Sequence, residues 1–320
     1  MPAPDNRHKM HTIEIPDANK IIELPECWEE CTPDQVRDIT AQAFQVIYGS
    51  MPLEDFTRRV FCILTGLKSS VRYELKHRLG LTSKSDEMLC ILADQLCKWP
   101  FRLLTDADGN KSFQFQYDTT TNFFKEIKAG STTLYGPDDL LEDITFSEFQ
   151  WANNHSQEYY NENKNQEGMP IIPGIGSHEA LESLDYFVAC LYRPGSNGKR
   201  AVFDPDTVFE TVELLKKVPY ITKFCILLWY SYCVHVIQTT PLTIQGTEID
   251  FSILFPAPTK AQKDGLETVK QGLGWRGALY DLAESGVFGD IERTERTLFF
   301  TVLVYMYKKQ LDNVRASTRI

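Results

Sequence analysis

The feature that most constrains the fold of this chain is one long apolar run, Phe224–Ile237. If this run forms a helix, it has too few polar residues to present a polar face to solvent. Such a helix must be covered by other parts of the protein on all sides. A membrane-spanning helix needs about 20 predominantly apolar residues, and Lys223 and His235 crowd this shorter run. We therefore predict that it forms a buried helix in the protein core.

The composition is that of an ordinary soluble globular protein. Its 320 residues suffice for one large domain or two smaller ones. A net charge of −11 repels phosphate backbones, so nucleic acid is not an expected partner. A membrane partner is not expected either. Because Met1–Lys20 lacks the apolar core of a signal peptide, we expect a cytoplasmic protein whose eight cysteines are reduced.

Helix start and stop signals organise the first third of the chain. Residues 1–24 are predicted to form an N-terminal arm, in which Thr12–Ile15 alternates like a short strand. Thr32 and Gln35 have the spacing of a capping box, which marks a helix start. Helices are predicted over residues 33–48, 52–66, 71–79 and 86–99.

The pattern changes to β periodicity at residues 101–117, where apolar segments flank a turn that contains Gly109. We predict an N-terminal helical subdomain at 25–128 that includes this hairpin, and a C-terminal helical subdomain at 129–320 with a flexible loop at 163–178. Further helices are predicted over residues 146–163, 179–192, 205–217, 220–238, 260–271, 275–285 and 290–314. The expected fold class is mainly α, a multi-helix globular protein with one small β-hairpin.

Three segments have less ordinary patterns. Pro137–Asp143 is acidic and is interpreted as a solvated helix start, and Gly195–Arg200 is interpreted as a solvent loop. Leu298–Tyr307 is apolar nearly all round, so it is either buried or covered by a partner chain, with a homo-oligomer as one alternative. Its β-branched and aromatic content also leaves a strand open.

Motifs that mark enzymes and cofactor sites are incomplete in this sequence. Gly272–Gly277 matches a dinucleotide fingerprint, but the preceding residues look helical, whereas the fingerprint follows a strand. A zinc site would need Cys27, Cys31, Cys233 and His235 to meet, and buried thiols are the favoured interpretation. We therefore predict a protein that is not an enzyme and has no cofactor or metal. A carboxylate-based active site is invisible in a sequence and stays open.

Aromatic residues are the best candidates for binding a partner. Some aromatic residues recur at helical spacing, namely Phe146, Phe149, Tyr186, Phe187 and Tyr192. We interpret these residues as part of the core, with a groove that binds a partner as the alternative. Trp151 and the pair Tyr159 and Tyr160 stand among polar residues, which favours exposed anchors. The full set of partner-binding candidates is Trp151, Tyr159, Tyr160, Tyr192, Arg193 and Trp275.

Three patches of the sequence carry a resemblance to a known class of proteins. They are Leu24–Pro33, which contains Pro-x-x-Trp-x-x-x-Thr, Leu184–Pro194, which ends in Leu-Tyr-Arg-Pro, and Gly274–Gly289, which precedes a long helix. Together they resemble small tail-associated proteins of bacteriophages or prophages, especially those of Bacteroidota. The resemblance implies a tail assembly chaperone, which coats hydrophobic segments of the tape-measure protein, or a minor tail or neck component.

The resemblance leads to an expected function without catalytic residues. We expect an assembly factor in the host-cell cytoplasm that binds another tail protein, such as the tape measure, through helical and aromatic surfaces. A structural component of the tail or neck of the virion is the first alternative. An enzyme whose site is not visible in the sequence is the second.

Overall fold

The structure is a computed structural model that describes residues 10–15, 20–67, 84–105, 109, 111–162, 178–255 and 274–317. The chain forms two compact units, Met1–Thr119 and Thr120–Ile320. The sequence-based boundary after residue 128 would cut a strand, Glu126–Ala129, that pairs inside the second unit. The helices predicted at 71–79 and 260–271 lie outside the described residues. Residues 163–177 of the loop predicted at 163–178 lie outside them as well.

The described part of the first unit contains helices and two antiparallel hairpins. The helices are α1 (Pro33–Ile47), α2 (Leu53–Thr65) and α3 (Lys84–Leu96). The hairpins are β1 (His11–Ile15) with β2 (Lys20–Leu24), and β3 (Phe101–Thr105) with β4 (Lys111–Phe115). The capping box of Thr32 and Gln35 is confirmed, and Gly66 ends α2 in the left-handed conformation at φ 68°.

An aromatic cluster fills the core of the first unit. Trp28 is 1% exposed, and its ring meets those of Trp99, Phe115 and Tyr117 at centroid distances of 4.9 to 5.9 Å. Leu24 on β2 is fully buried as well. The predicted N-terminal arm therefore contributes to this core through its second strand.

The second unit combines helices with a four-stranded sheet. Its described helices are α4 (Phe146–Glu162), α5 (His178–Leu191), α6 (Val208–Leu215), α7 (Tyr220–Thr239), α8 (Trp275–Glu284), α9 (Ile291–Glu295) and α10 (Phe299–Ser317). The antiparallel sheet has the order β5 (Glu126–Ala129), β6 (Thr132–Tyr135), β7 (Arg193–Ser196) and β8 (Lys199–Arg200). A separate hairpin joins β9 (Leu242–Ile244) and β10 (Thr247–Ile249).

Helix α7 forms the centre of the second unit, which confirms the buried helix predicted from the apolar run. Trp229 and Tyr230 are each 2% exposed, and Lys223 is buried in an ion pair with Asp185. The helix also has the length and mean hydropathy, 1.3, of a membrane span, with 56% of that window buried inside the protein. Burial of this kind is what a core helix requires.

The structure confirms the predicted fold class in part and corrects one predicted helix. Helices dominate, but the described residues contain four small antiparallel sheets where the sequence predicted one hairpin. Gly195–Arg200, predicted as a solvent loop, forms β7 and β8 with their turn. The helix predicted at 290–314 breaks between α9 and α10, because Phe146 N–H donates to Thr297 O and Phe299 N–H to Ile144 O, each at 2.9 Å.

Candidate functional site

The first turn of α4 fixes one end of the candidate site. Thr145 and Glu148 form a capping box, in which Thr145 N–H donates to Glu148 Oε2 at 2.7 Å and Glu148 N–H donates to Thr145 Oγ1 at 3.3 Å. This arrangement uses one carboxylate oxygen of Glu148 and fixes its side chain against the helix end. The spacing Thr-x-x-Glu is a recognised helix-start signal, although the helix start predicted at residue 146 did not rest on it.

The other oxygen of Glu148 is the centre of a buried ionic cluster, which consists of Asp143, Glu148, Arg193 and Arg200. Arg193 Nη2 donates to Glu148 Oε1 at 2.5 Å and Arg200 Nε donates to the same atom at 3.0 Å. Arg200 also donates to the Asp143 carboxylate, and Arg193 donates to the carbonyl of Cys190 at 2.7 Å. The first turn of α4 is thereby tied to the sheet.

The charges of this cluster balance one another. Burial alone would raise the pKa of Glu148, but the guanidinium groups of Arg200 and Arg193 outweigh it and hold the pKa below the ordinary 4.5. A cavity of about 660 Å³ lies over the cluster and is also lined by Val202 and Arg296. Because each charge of the cluster already has a partner, we interpret the cluster as an interaction that stabilises the fold and does not bind a ligand.

A second recess along α4 has a different chemistry, and we call it the aromatic groove. It measures about 700 Å³ and is lined by Gln150, Trp151, Asn153, Asn154, Gln157, Pro205, Gly274, Trp275, Arg276, Leu279, Tyr280, Ile291 and Glu295. Trp151 is 39% exposed. Trp275 is half-buried, and Gln150 Nε2 donates to its carbonyl at 2.7 Å, which joins α4 to the start of α8.

Glu295 stands where the aromatic groove meets a smaller cavity of about 390 Å³. It is half-buried, and no hydrogen bond or ion pair joins it to any residue that the structure describes. Burial raises the pKa of Glu295, and the positive charges of Arg276 and Arg296 oppose that rise only in part. Arg296 is also paired with Glu292 at 2.7 Å. Glu295 therefore presents to the groove a carboxylate whose charge is only partly compensated.

The structure brings two of the six sequence-predicted binding residues together. Trp151 and Trp275 line the aromatic groove from different helices. Tyr160 is also 39% exposed, but it lies outside the groove, and its hydroxyl is 3.0 Å from Ser231 Oγ. No signal in the amino-acid pattern indicates that α4 and α8 form one recess.

The other three predicted binding residues are buried, so their assignment as partner contacts is corrected. Tyr159 is 1% exposed, and its hydroxyl lies 2.5 Å from that of Tyr220. Tyr192 is fully buried and donates to Asn122 Oδ1 at 3.1 Å. Arg193 belongs to the buried ionic cluster. These side chains stabilise the interior of the second unit.

Sequence reasoning missed the amides and the carboxylate of the groove. Asn154 follows Trp151 by three residues and Gln157 follows Asn154 by three, so helical spacing was a usable signal for this wall. Nothing in the sequence around Glu295 distinguishes it from the other acidic residues of the chain. The groove combines aromatic faces, amides that both donate and accept hydrogen bonds, and one free carboxylate.

Neither a metal site nor a similar protein identifies the function of this chain. The part of the chain that the structure describes contains no group of three or more His, Cys, Asp and Glu side chains placed to hold a metal ion. Comparisons with protein-family models, with curated proteins and with solved structures found no match.

Proposed function

We propose that this protein acts by binding a segment of another protein in the aromatic groove. The observation that carries the proposal is the placement of Trp151 and Trp275 in one open recess of about 700 Å³. Tryptophan is enriched among the residues that dominate binding energy at protein interfaces. The surrounding amides can pair with both the N–H and the C=O groups of a bound backbone.

The sequence resemblance supports a finer proposal about the biological role. In this proposal the protein is a phage or prophage tail assembly factor in the host-cell cytoplasm, and its partner is another tail protein such as the tape measure. An assembly factor would be absent from finished particles, whereas a tail or neck component would be present in fixed copy number. Mass spectrometry of purified particles separates these two roles.

The groove itself is tested by replacing Trp151 with Ala and repeating a tagged pull-down from cells that express the neighbouring genes. We expect recovery of one partner by the unchanged protein and at least tenfold weaker recovery by the variant, because loss of an interface anchor costs about 2 kcal/mol or more. Phe209→Ala is the matched control, since Phe209 is 60% exposed on α6 and lies outside the groove.

Thermal unfolding of both variants keeps this test interpretable. Trp151 is 39% exposed, so its removal should leave the second unit folded. If Trp151→Ala unfolds the protein, or if both variants lose the partner equally, the aromatic groove is not the binding site. If no partner is recovered by the unchanged protein, the proposal of an assembly factor fails.

A further inference from the structure

We infer that the partner segment carries an arginine or lysine beside an apolar side chain, and that Glu295 receives this positive charge. The inference rests on the proposed function and names the chemistry that the aromatic groove recognises. The occupant of the groove is then a polypeptide with a basic residue.

Several carboxylates of the second unit are paired with basic side chains. Glu148 and Asp185 are buried and each is held by a basic side chain, and the exposed Glu292 is held by Arg296. Glu295 is half-buried and forms no such ion pair with a described residue, and the charges of Arg276 and Arg296 offset its burial only in part. A carboxylate that has lost part of its hydration and is only partly compensated favours the approach of an external cation.

The cavity next to Glu295 is lined by more acidic than basic side chains. Its described lining includes three carboxylates, those of Asp204, Glu292 and Glu295, and one guanidinium, that of Arg296. The Arg296 guanidinium is engaged by Glu292, so the local charge is negative. The net charge of −11 for the whole chain adds to the attraction of a basic partner and speeds its approach.

Aromatic residues line the groove on the other side of Glu295. Trp151, Trp275 and Tyr280 line the same groove as this carboxylate. A guanidinium or ammonium group that reaches Glu295 therefore passes within the recess that these rings line, where cation–π contact adds to the attraction. Arg276 lines the same groove and offsets part of the charge of Glu295, while its Nε donates to the hydroxyl of Tyr280 at 3.3 Å. Apolar neighbours of the basic residue would pack on the exposed ring of Trp151.

The experiment is a selection from a displayed library of random 12-residue peptides against the full-length protein, followed by affinity measurements on the selected peptides. We expect the binders to share an arginine or lysine next to an apolar residue. Glu295→Gln should weaken them by about tenfold, which corresponds to the loss of one partly desolvated ion pair. Glu210→Gln removes the same charge from an exposed position of α6 outside the groove and should change affinity less than twofold.

Charge reversal gives a second test that does not depend on a loss of binding. A library selected against Glu295→Lys should yield aspartate or glutamate at the position that was basic before. Fluorine NMR of protein labelled with 5-fluorotryptophan locates the peptides, because only five tryptophans are present. The signals of Trp151 and Trp275 should shift on binding, while that of the buried Trp229 should not.

The outcomes separate this inference from the proposed function. Peptides that depend on Trp151 but show no basic residue, or that bind Glu295→Gln and the unchanged protein equally, overturn the inference and leave the groove as a protein-binding site. Peptides that do not depend on Trp151, or a groove that binds oligosaccharides and selects no peptide, overturn both.

Discussion

Two carboxylates beside the same helix differ in almost every physical respect. The Glu148 side chain is 2% exposed and binds the Thr145 backbone, Arg193 and Arg200. Glu295 is half-buried and unpaired among the described residues. The pKa of Glu148 lies below its ordinary value and that of Glu295 lies above. A buried charge with matched partners holds a fold together, whereas a partly buried charge without one is available for binding.

The contrast also shows why polar residues around a cavity are a poor guide to function. The cavity over the ionic cluster contains more charged side chains than the aromatic groove. Its buried charges are already neutralised by neighbours, so a ligand would have to displace existing ion pairs. The groove has fewer charges, but its carboxylate and its exposed Trp151 are both free to gain contacts.

The strongest test of the contrast is Glu148→Gln. We expect a loss of about 3–5 kcal/mol in the free energy of unfolding, because Arg193 would stay buried without its carboxylate. Urea denaturation measures this loss. Glu292→Gln is the control, since Glu292 forms an exposed pair and should cost no more than about 1 kcal/mol. Equal effects of the two changes would mean that the buried cluster is not structural.

A smaller effect is expected from Gly136→Ala, which tests the packing around the ionic cluster. A Cβ atom at residue 136 would lie 2.3 Å from Cε1 of the Tyr192 ring, and the fully buried ring has little room to move. Overpacking of this kind costs about 1–3 kcal/mol. In urea denaturation the double variant with Tyr192→Ala should lose less than the sum of the two single changes. If the losses of unfolding free energy from the two single changes simply add in the double variant, the added Cβ atom does not act through the Tyr192 ring.

Acid pH should act on the two carboxylates in opposite directions. The lowered pKa of Glu148 gives stability that is present above about 4.5 and is lost as the pH falls through the folded-state pKa. Glu295 has a raised pKa, so its protonation at falling pH relieves a cost and adds stability. Unfolding free energies measured from about pH 6 to pH 3 should therefore fall less steeply in Glu148→Gln and slightly more steeply in Glu295→Gln. Parallel curves for all three proteins would contradict the contrast.

The smallest effect is expected from Glu295→Gln at neutral pH. Because no described residue depends on this carboxylate, its replacement should change the unfolding free energy by about 0.5 kcal/mol or less. Thermal or urea unfolding measures the change. A loss of more than about 2 kcal/mol would reveal a structural role, since losses of that size come from broken buried interactions.

Much of the helical framework was predictable because its signals are local. The capping box of Thr32 and Gln35, the left-handed Gly66 and the apolar run of α7 each act within a few residues of chain. Of the candidate site, the sequence identified Trp151 and Trp275, but it could not place them in one groove. It also could not separate exposed Trp151 from buried Tyr159, which is two helical turns away on the same helix.

The amino-acid sequence by itself determined where most helices begin and end, since capping and periodicity join residues three or four positions apart. Only the tertiary structure decided the roles of the charged residues. Glu148 meets Arg193 across 45 positions and Arg200 across 52. The break before α10 likewise depends on backbone hydrogen bonds to the segment 144–146. Pairing and burial are set by which distant segments pack together, and that choice decided which carboxylate holds the fold and which one faces the groove.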